Sequence, residues 1–154
     1  RGLQDEGKDL PRSGADDVIE TMIHQFQRKG KAAGAGFYDY PENGKKQLWD
    51  GLSHWKKDTE ISEQEIIDRF LFVQSLDTLR CLEEGVLESV VDANVGSIFG
   101  IGFAPWTGGA LQFLNQYGLE KALIRANTLQ VKYGERFKAP QLLIDKAHAG
   151  EKIA

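Results

Sequence analysis

Ser89-Val90-Val91-Asp92-Ala93-Asn94-Val95-Gly96, followed by Gly100-Ile101-Gly102-Phe103-Ala104-Pro105-Trp106-Thr107-Gly108-Gly109, is the stretch on which the fold turns. Ser89 and Asp92 stand at N-cap and N3 spacing, so a short helix is predicted from about Val90 to Phe99. Gly96 and Gly100 lie one turn apart on it and leave bare backbone against which a neighbour can approach closely. Gly100 to Pro105 then reads as a turn. Thr107 is placed to cap a further helix that reaches Asn115 to Tyr117 and stops at Gly118. A capped helix, a Gly- and Pro-shaped corner and a second helix make a helical hairpin, and the flanking sequence extends it in both directions.

Downstream, apolar periodicity predicts a helix from Leu119 to about Tyr133, ended by Gly134, and a last one from Gln141 to His148 between Pro140 and Gly150. Upstream, Ser62 and Glu65 repeat the capping spacing, with the hydroxyl on the third amide and the carboxylate turned back to the cap. They open the longest helix, residues 63–85. Ile66, Ile67, Phe70, Leu71, Val73, Leu76, Leu79 and Leu82 cover nearly two of its faces, so it should be central. Residues 15–28 form another amphipathic helix through Val18, Ile19, Met22, Ile23 and Phe26, with basic residues at its end. Between these two helices, glycines at 30, 34, 36, 44 and 51 break the pattern. Phe37 to Tyr40 and Gln47 to Trp49 alternate around an Asn43-Gly44 turn, so a small hairpin is expected within 30–58, pinned by Trp49, Leu52 and Trp55. The fold class that follows is all-α, a bundle of five to six helices with one Gly-rich irregular segment. A faint repeat relates Leu3, Gly7, Leu10-Pro11 and Val18-Ile19 to Leu129, Gly134, Pro140 and Leu143-Ile144.

The 154 residues suffice for a well-buried core, and 41% hydrophobic and 27% charged residues are the proportions of a globular domain. The net charge of −4 is spread without a basic stripe, which points away from nucleic acid. No apolar run is long enough for a membrane span. The N-terminus carries no Met and no signal-peptide core, as in an excised segment. One cysteine, Cys81, leaves no disulfide framework and fits a cytoplasmic setting. It sits in a helical pattern and reads as a packed thiol. His24, His54 and His148 are scattered without ligand spacing, so no metal site is expected.

No catalytic or cofactor-binding residue is assigned. Gly34-Ala35-Gly36 and Gly100-Ile101-Gly102 lack the preceding strand, the third glycine and the acidic partner of a dinucleotide loop, and read as turns. Glu83-Glu84 reads as a solvated helix end and Asp92 as an N3 cap rather than as acid–base carboxylates. Pro105-Trp106-Thr107-Gly108-Gly109 admits two roles. It could line an acyl-CoA or partner pocket, with amides at Gly108 and Gly109 turned to an anion. The favoured reading makes it a tight corner with Trp106 as its core plug, flanked by Phe103 and Phe113.

The 83–118 region resembles the C-terminal helical repeat of bacterial multifunctional 3-hydroxyacyl-CoA dehydrogenases of fatty-acid β-oxidation. Gly30-Lys31-Ala32-Ala33-Gly34-Ala35-Gly36-Phe37-Tyr38-Asp39-Tyr40 resembles the Gly-Phe-Tyr signature that closes the family's first helical repeat. The shared motif residues are Gly34, Gly36, Phe37, Tyr38, Asp92, Gly96, Pro105, Trp106, Gly108 and Gly109. The resemblance implies that residues 1–58 are the tail of the first repeat plus a linker and that 59–154 are the second repeat, packed as one unit. It implies NAD as the parent enzyme's cofactor, bound by an upstream Rossmann domain, and an acyl-CoA substrate handled there by a His–Glu pair with Ser and Asn. No counterpart of those residues stands in this chain, so no cofactor is expected in it. Its implied partners are the upstream NAD-binding and first helical domains of the same chain, with homo-oligomerisation as a further expectation. The expected role is to support dimer-like packing and the substrate cleft, catalytically incomplete alone. A free-standing helical adaptor or dimerisation module is the alternative.

Overall fold

The computed structural model describes residues 12–154, and the chain falls into two compact units, Arg1–Thr59 and Glu60–Ala154. Leu3, Gly7 and Leu10-Pro11, the first limb of the faint repeat, lie outside the described residues. The expected all-α class holds: the described residues form six α-helices, four 3-10 turns and a single two-stranded ribbon.

In the first unit, α1 spans Gly14–His24. The Ser13 amide donates to the Asp16 carboxylate at 2.7 Å, which closes the N-terminus and holds that carboxyl below its ordinary range. The helix is shorter than its apolar stripe predicts. Gln27 takes a positive φ of 55°, so the chain has left the helix before Arg28. Phe26 leaves the stripe and packs edge-on against Trp49 and Trp55, at 4.9 and 5.8 Å between centroids. The ribbon is the expected hairpin: β1 (Tyr38–Asp39) pairs antiparallel with β2 (Gln47–Leu48).

Arg28 organises this unit. Its guanidinium donates to the carbonyls of Gly36 (2.7 Å) and Tyr38 (3.2 Å), pairs with the Asp39 carboxylate and stacks 4.4 Å from the centre of the Trp49 ring. A residue read from sequence as helix-terminal base is instead the post around which the Gly-Phe-Tyr segment winds. Gly36 is required there, since a Cβ would come within 2.9 Å of the Gly30 Cα.

The second unit is built on α2 (Glu63–Glu83), which contacts α3 (Val90–Ile101), α4 (Ala110–Tyr117), α6 (Gln141–Ala149) and the 3-10 turn Glu135–Phe137. Helix α5 (Leu119–Tyr133) packs on α4 and α6. The core joins Phe72, Leu76 and Leu79 of α2 to Leu111 and Leu114 of α4, Ala122, Ala126 and Leu129 of α5, and Leu143 of α6. Phe72 anchors an aromatic cluster, edge-on to Phe113 at 5.5 Å and to Tyr117 at 5.0 Å, with Phe103 beyond Phe113.

Helix α2 is central, as predicted, but its buried stripe differs from the apolar count. Asp68, Phe72, Ser75, Leu76 and Leu79 face inward, whereas Ile66, Ile67 and Phe70 are exposed. Asp68 takes the inward position because it is paired: Arg125 of α5 donates to it at 2.6 Å and Gln64 at 2.8 Å. Glu65 also departs from its expected role. Ser62 accepts its amide at 3.2 Å, but the Glu65 carboxylate turns away from the cap and accepts from the Tyr133 hydroxyl and from Lys132 (3.1 Å), tying α2 to α5.

Candidate functional site at the 94–109 corner

The motif residues of the second unit meet where α3 turns into α4. Ser89 accepts the Asp92 amide at 3.0 Å and donates to the Asp92 carboxylate at 2.7 Å, so Asp92 is an N3 residue as read. Helix α3 runs two residues past Phe99 and ends at Gly102, which takes the left-handed conformation with φ 72°. Pro105–Thr107 forms one 3-10 turn, and Gly108 (φ 77°) closes it.

Thr107 is not the cap of α4 that its spacing predicts. It is buried below the corner, donates to the Ala104 carbonyl at 2.7 Å and accepts the Gly109 amide at 3.2 Å. The helix starts only at Ala110, and the cap comes from α3. Ser97 accepts the Ala110 amide at 3.1 Å, and the side-chain oxygen of Asn94 accepts both the Leu111 and Gln112 amides at 3.0 Å. The orphan donors of this helix start are therefore consumed inside the protein. No amide remains at Gly108 or Gly109 for an anion, because Gly108 donates to the Pro105 carbonyl at 3.1 Å. That removes the anion-binding reading.

Trp106 overturns the core-plug reading as well: it is 83% exposed, and the core below the corner is filled by Phe103 and Thr107. The 3-10 turn is three residues long, so Thr107 and Trp106 point in different directions and only one can face inward. Phe103 and Phe113 do pack on each other, at 6.2 Å, but with Phe72 and Tyr117 rather than with Trp106. Outside the corner, Val91, Val95 and Phe99 recur every fourth residue along α3 and are exposed, Phe99 by 85%. Among the described residues nothing lies within 4 Å of the position a Cβ would take on Gly96 or Gly100, so none of them makes the close approach predicted there.

Asn94 and Ser97 are the capping residues of the corner that sequence reading misses. Both sit inside a helical pattern, and no spacing rule links a mid-helix Asn to an amide 17 positions away. The same holds for Glu83. It is not a merely solvated helix end: its carboxylate accepts the Leu142 amide at 2.8 Å and caps α6, whose own N-cap is Pro140. The motif residues of the first unit form their own cluster. Gly34 closes the Lys31–Ala33 turn with φ 76°, Gly36 and Tyr38 offer carbonyls to Arg28, and Phe37 is exposed. Among the described residues no three His, Cys, Asp or Glu side chains gather as metal ligands, and no described helix is long and apolar enough to cross a membrane. The site as built holds helices in place and presents an apolar face.

No family model matches the chain. The fatty acid oxidation complex subunit alpha of Vibrio cholerae serotype O1 is 35% identical over 146 residues, 93% of this chain. The subunit of the same name from Vibrio vulnificus is 33% identical over 89% of the chain, and that from Aliivibrio fischeri 38% over 79%. This chain is a homologue of one segment of the fatty acid oxidation complex alpha subunits. It spans about a fifth of the length of those relatives: 20% of the first two and 18% of the third. The Vibrio cholerae match covers 93% of the chain and so runs through both units, with the Arg28 post and the cross-capped corner inside the homologous segment.

Proposed function

We propose that this chain is a C-terminal helical segment of an NAD-dependent 3-hydroxyacyl-CoA dehydrogenase of fatty-acid β-oxidation, a packing module that supports the catalytic parts and is inactive alone. The observation that carries this is the 35% identity to the alpha subunit across 93% of the chain. The site chemistry supports it. The corner amides are internally consumed and the charged groups at the helix junctions serve as caps and ion pairs. The exposed apolar stripe of Val91, Val95 and Phe99 on α3, and the exposed Trp106, support the packing role, since exposed apolar surface marks an interaction region. In this reading NAD and the acyl-CoA are held by upstream domains of a cytoplasmic enzyme.

The test is direct. Titration calorimetry with NADH should give binding no tighter than about 1 mM, and a 3-hydroxyacyl-CoA assay should stay at the no-enzyme rate. Turnover above that rate rules out the packing-module role.

A further inference from the structure

Helix α1 stops before its sequence does. Gln25-Phe26-Gln27-Arg28-Lys29 holds no glycine or proline, and glutamine, arginine and lysine are good helix formers; the first breaker is Gly30. The helix nevertheless ends at His24. Beyond it the Phe26 amide reaches five positions back to the Thr21 carbonyl at 3.2 Å, and the Arg28 amide six positions back to Met22 at 2.8 Å, in place of the four of an α-helix. Between them Gln27, at φ 55°, is the one residue other than glycine with positive φ among the described residues.

Tertiary contacts overrule the local preference, and the overruled segment itself makes them. The Arg28 side chain is only 12% exposed. It is seated on the Gly36 and Tyr38 carbonyls, the Asp39 carboxylate and the Trp49 ring. The Phe26 ring lies edge-on to Trp49 and Trp55. In a continued helix Phe26 stands three, four and seven positions from Ile23, Met22 and Ile19, on their stripe. Those three residues, with Phe37 and Tyr38, line a groove of about 320 Å³. Ile19 and Phe37 are half-exposed at present, so the ring has a second apolar place to go.

We propose that residues 25–29 are a latch with two settings. In the closed setting, the one described here, Arg28 is seated and Phe26 packs on the indoles. In the open setting α1 gains about one turn, Gln27 takes helical dihedrals, Arg28 leaves its seat and Phe26 joins Ile19, Met22 and Ile23. Helix propensity and relief at Gln27 favour the open setting, while the Arg28 and Phe26 contacts favour the closed one. Opening uncovers Trp49 and Trp55, which are half-buried when closed, so the length of α1 and the aromatic surface of the unit change together. The device lies within the first unit and is independent of the proposed function.

The experiment uses the full chain and NMR. Contacts between the Hα of one residue and the amide of the third residue after it report helix, so the pairs His24 with Gln27, Gln25 with Arg28 and Phe26 with Lys29 read the latch. In the wild type they should be faint or absent, and the Phe26 ring should contact Trp49 and Trp55. Arg28→Gln empties the seat and keeps a good helix former. All three pairs should appear, and the ring contacts should pass to Ile19 and Ile23. Gln27→Ile leaves every partner of Arg28 in place but puts a β-branched residue where φ is positive, and it should give the same three pairs. Adding Gln27→Gly to Arg28→Gln suits the closed backbone and weakens the helix, and should remove the pairs again. Far-UV circular dichroism should rise by about one helical turn in the two open variants. Absence of the three pairs in both Arg28→Gln and Gln27→Ile would overturn the proposal, whether the ring stays on the indoles or the segment loses its contacts altogether.

Discussion

Asn94 and Gly109 touch so closely that only glycine fits: a Cβ on Gly109 would stand 2.6 Å from the Asn94 Cα. The contact sets the Asn94 side chain against the start of α4, where it accepts two amides. Gly109 also has φ 114°, a conformation side chains rarely adopt. Gly109→Ala should therefore cost about 3 kcal/mol or more, from strain and a displaced helix. Asn94→Ala should cost about 1–3 kcal/mol by orphaning two amides, and Asn94→Asp should restore most of it. Urea unfolding of the three variants checks the order.

Trp106→Ala should change stability by less than about 1 kcal/mol, because its ring is in water. Phe72→Ala removes the centre of the aromatic cluster and should cost about 3–5 kcal/mol. A large loss for Trp106→Ala in urea unfolding would return that ring to the core.

Arg125→Met leaves the Asp68 carboxylate buried without its cation and should cost about 3–5 kcal/mol. Replacing both partners, Asp68→Leu with Arg125→Met, should cost less than the single change. Thermal unfolding of the single and double variants reads the difference.

Glu65 and Tyr133 make stability depend on pH at both ends. The Tyr133 hydroxyl, and after it Lys132, holds the Glu65 carboxyl below its ordinary range. That contribution is present above the unfolded carboxyl pKa of about 4.3 and is lost as pH falls through the lower folded value. The same bond raises the Tyr133 phenol. Its contribution is present below about pH 10 and is lost as pH rises through the raised folded value. Tyr133→Phe should flatten both limbs of the stability–pH curve, and an unchanged acid limb would show that Lys132 alone sets Glu65.

Arg28→Ala removes the post of the first unit. Amide exchange at Gly36, Tyr38 and Trp49 should accelerate, while exchange within Glu63–Glu83 stays as it was. Arg28→Lys should rescue little, since an ammonium cannot reach two carbonyls and stack on Trp49 at once.

Local patterns in the sequence determine the all-α class, the five helices of the second unit to within two residues and the small hairpin. Those features depend on caps, breakers and apolar period, which act over a few residues. The α2 face that enters the core, the partners of Asp68 and Glu65, and the caps supplied by Asn94, Ser97 and Glu83 are decided by tertiary structure. The bonds among these that cross between helices join residues 13 to 68 positions apart, and which donor meets which acceptor follows only once the helices are packed. Trp106 shows the limit most plainly. Its neighbours Pro105, Gly108 and Gly109 announce a tight corner, but a corner has an inside and an outside, and only the packing of Phe103 and Thr107 against the core puts the indole on the outside.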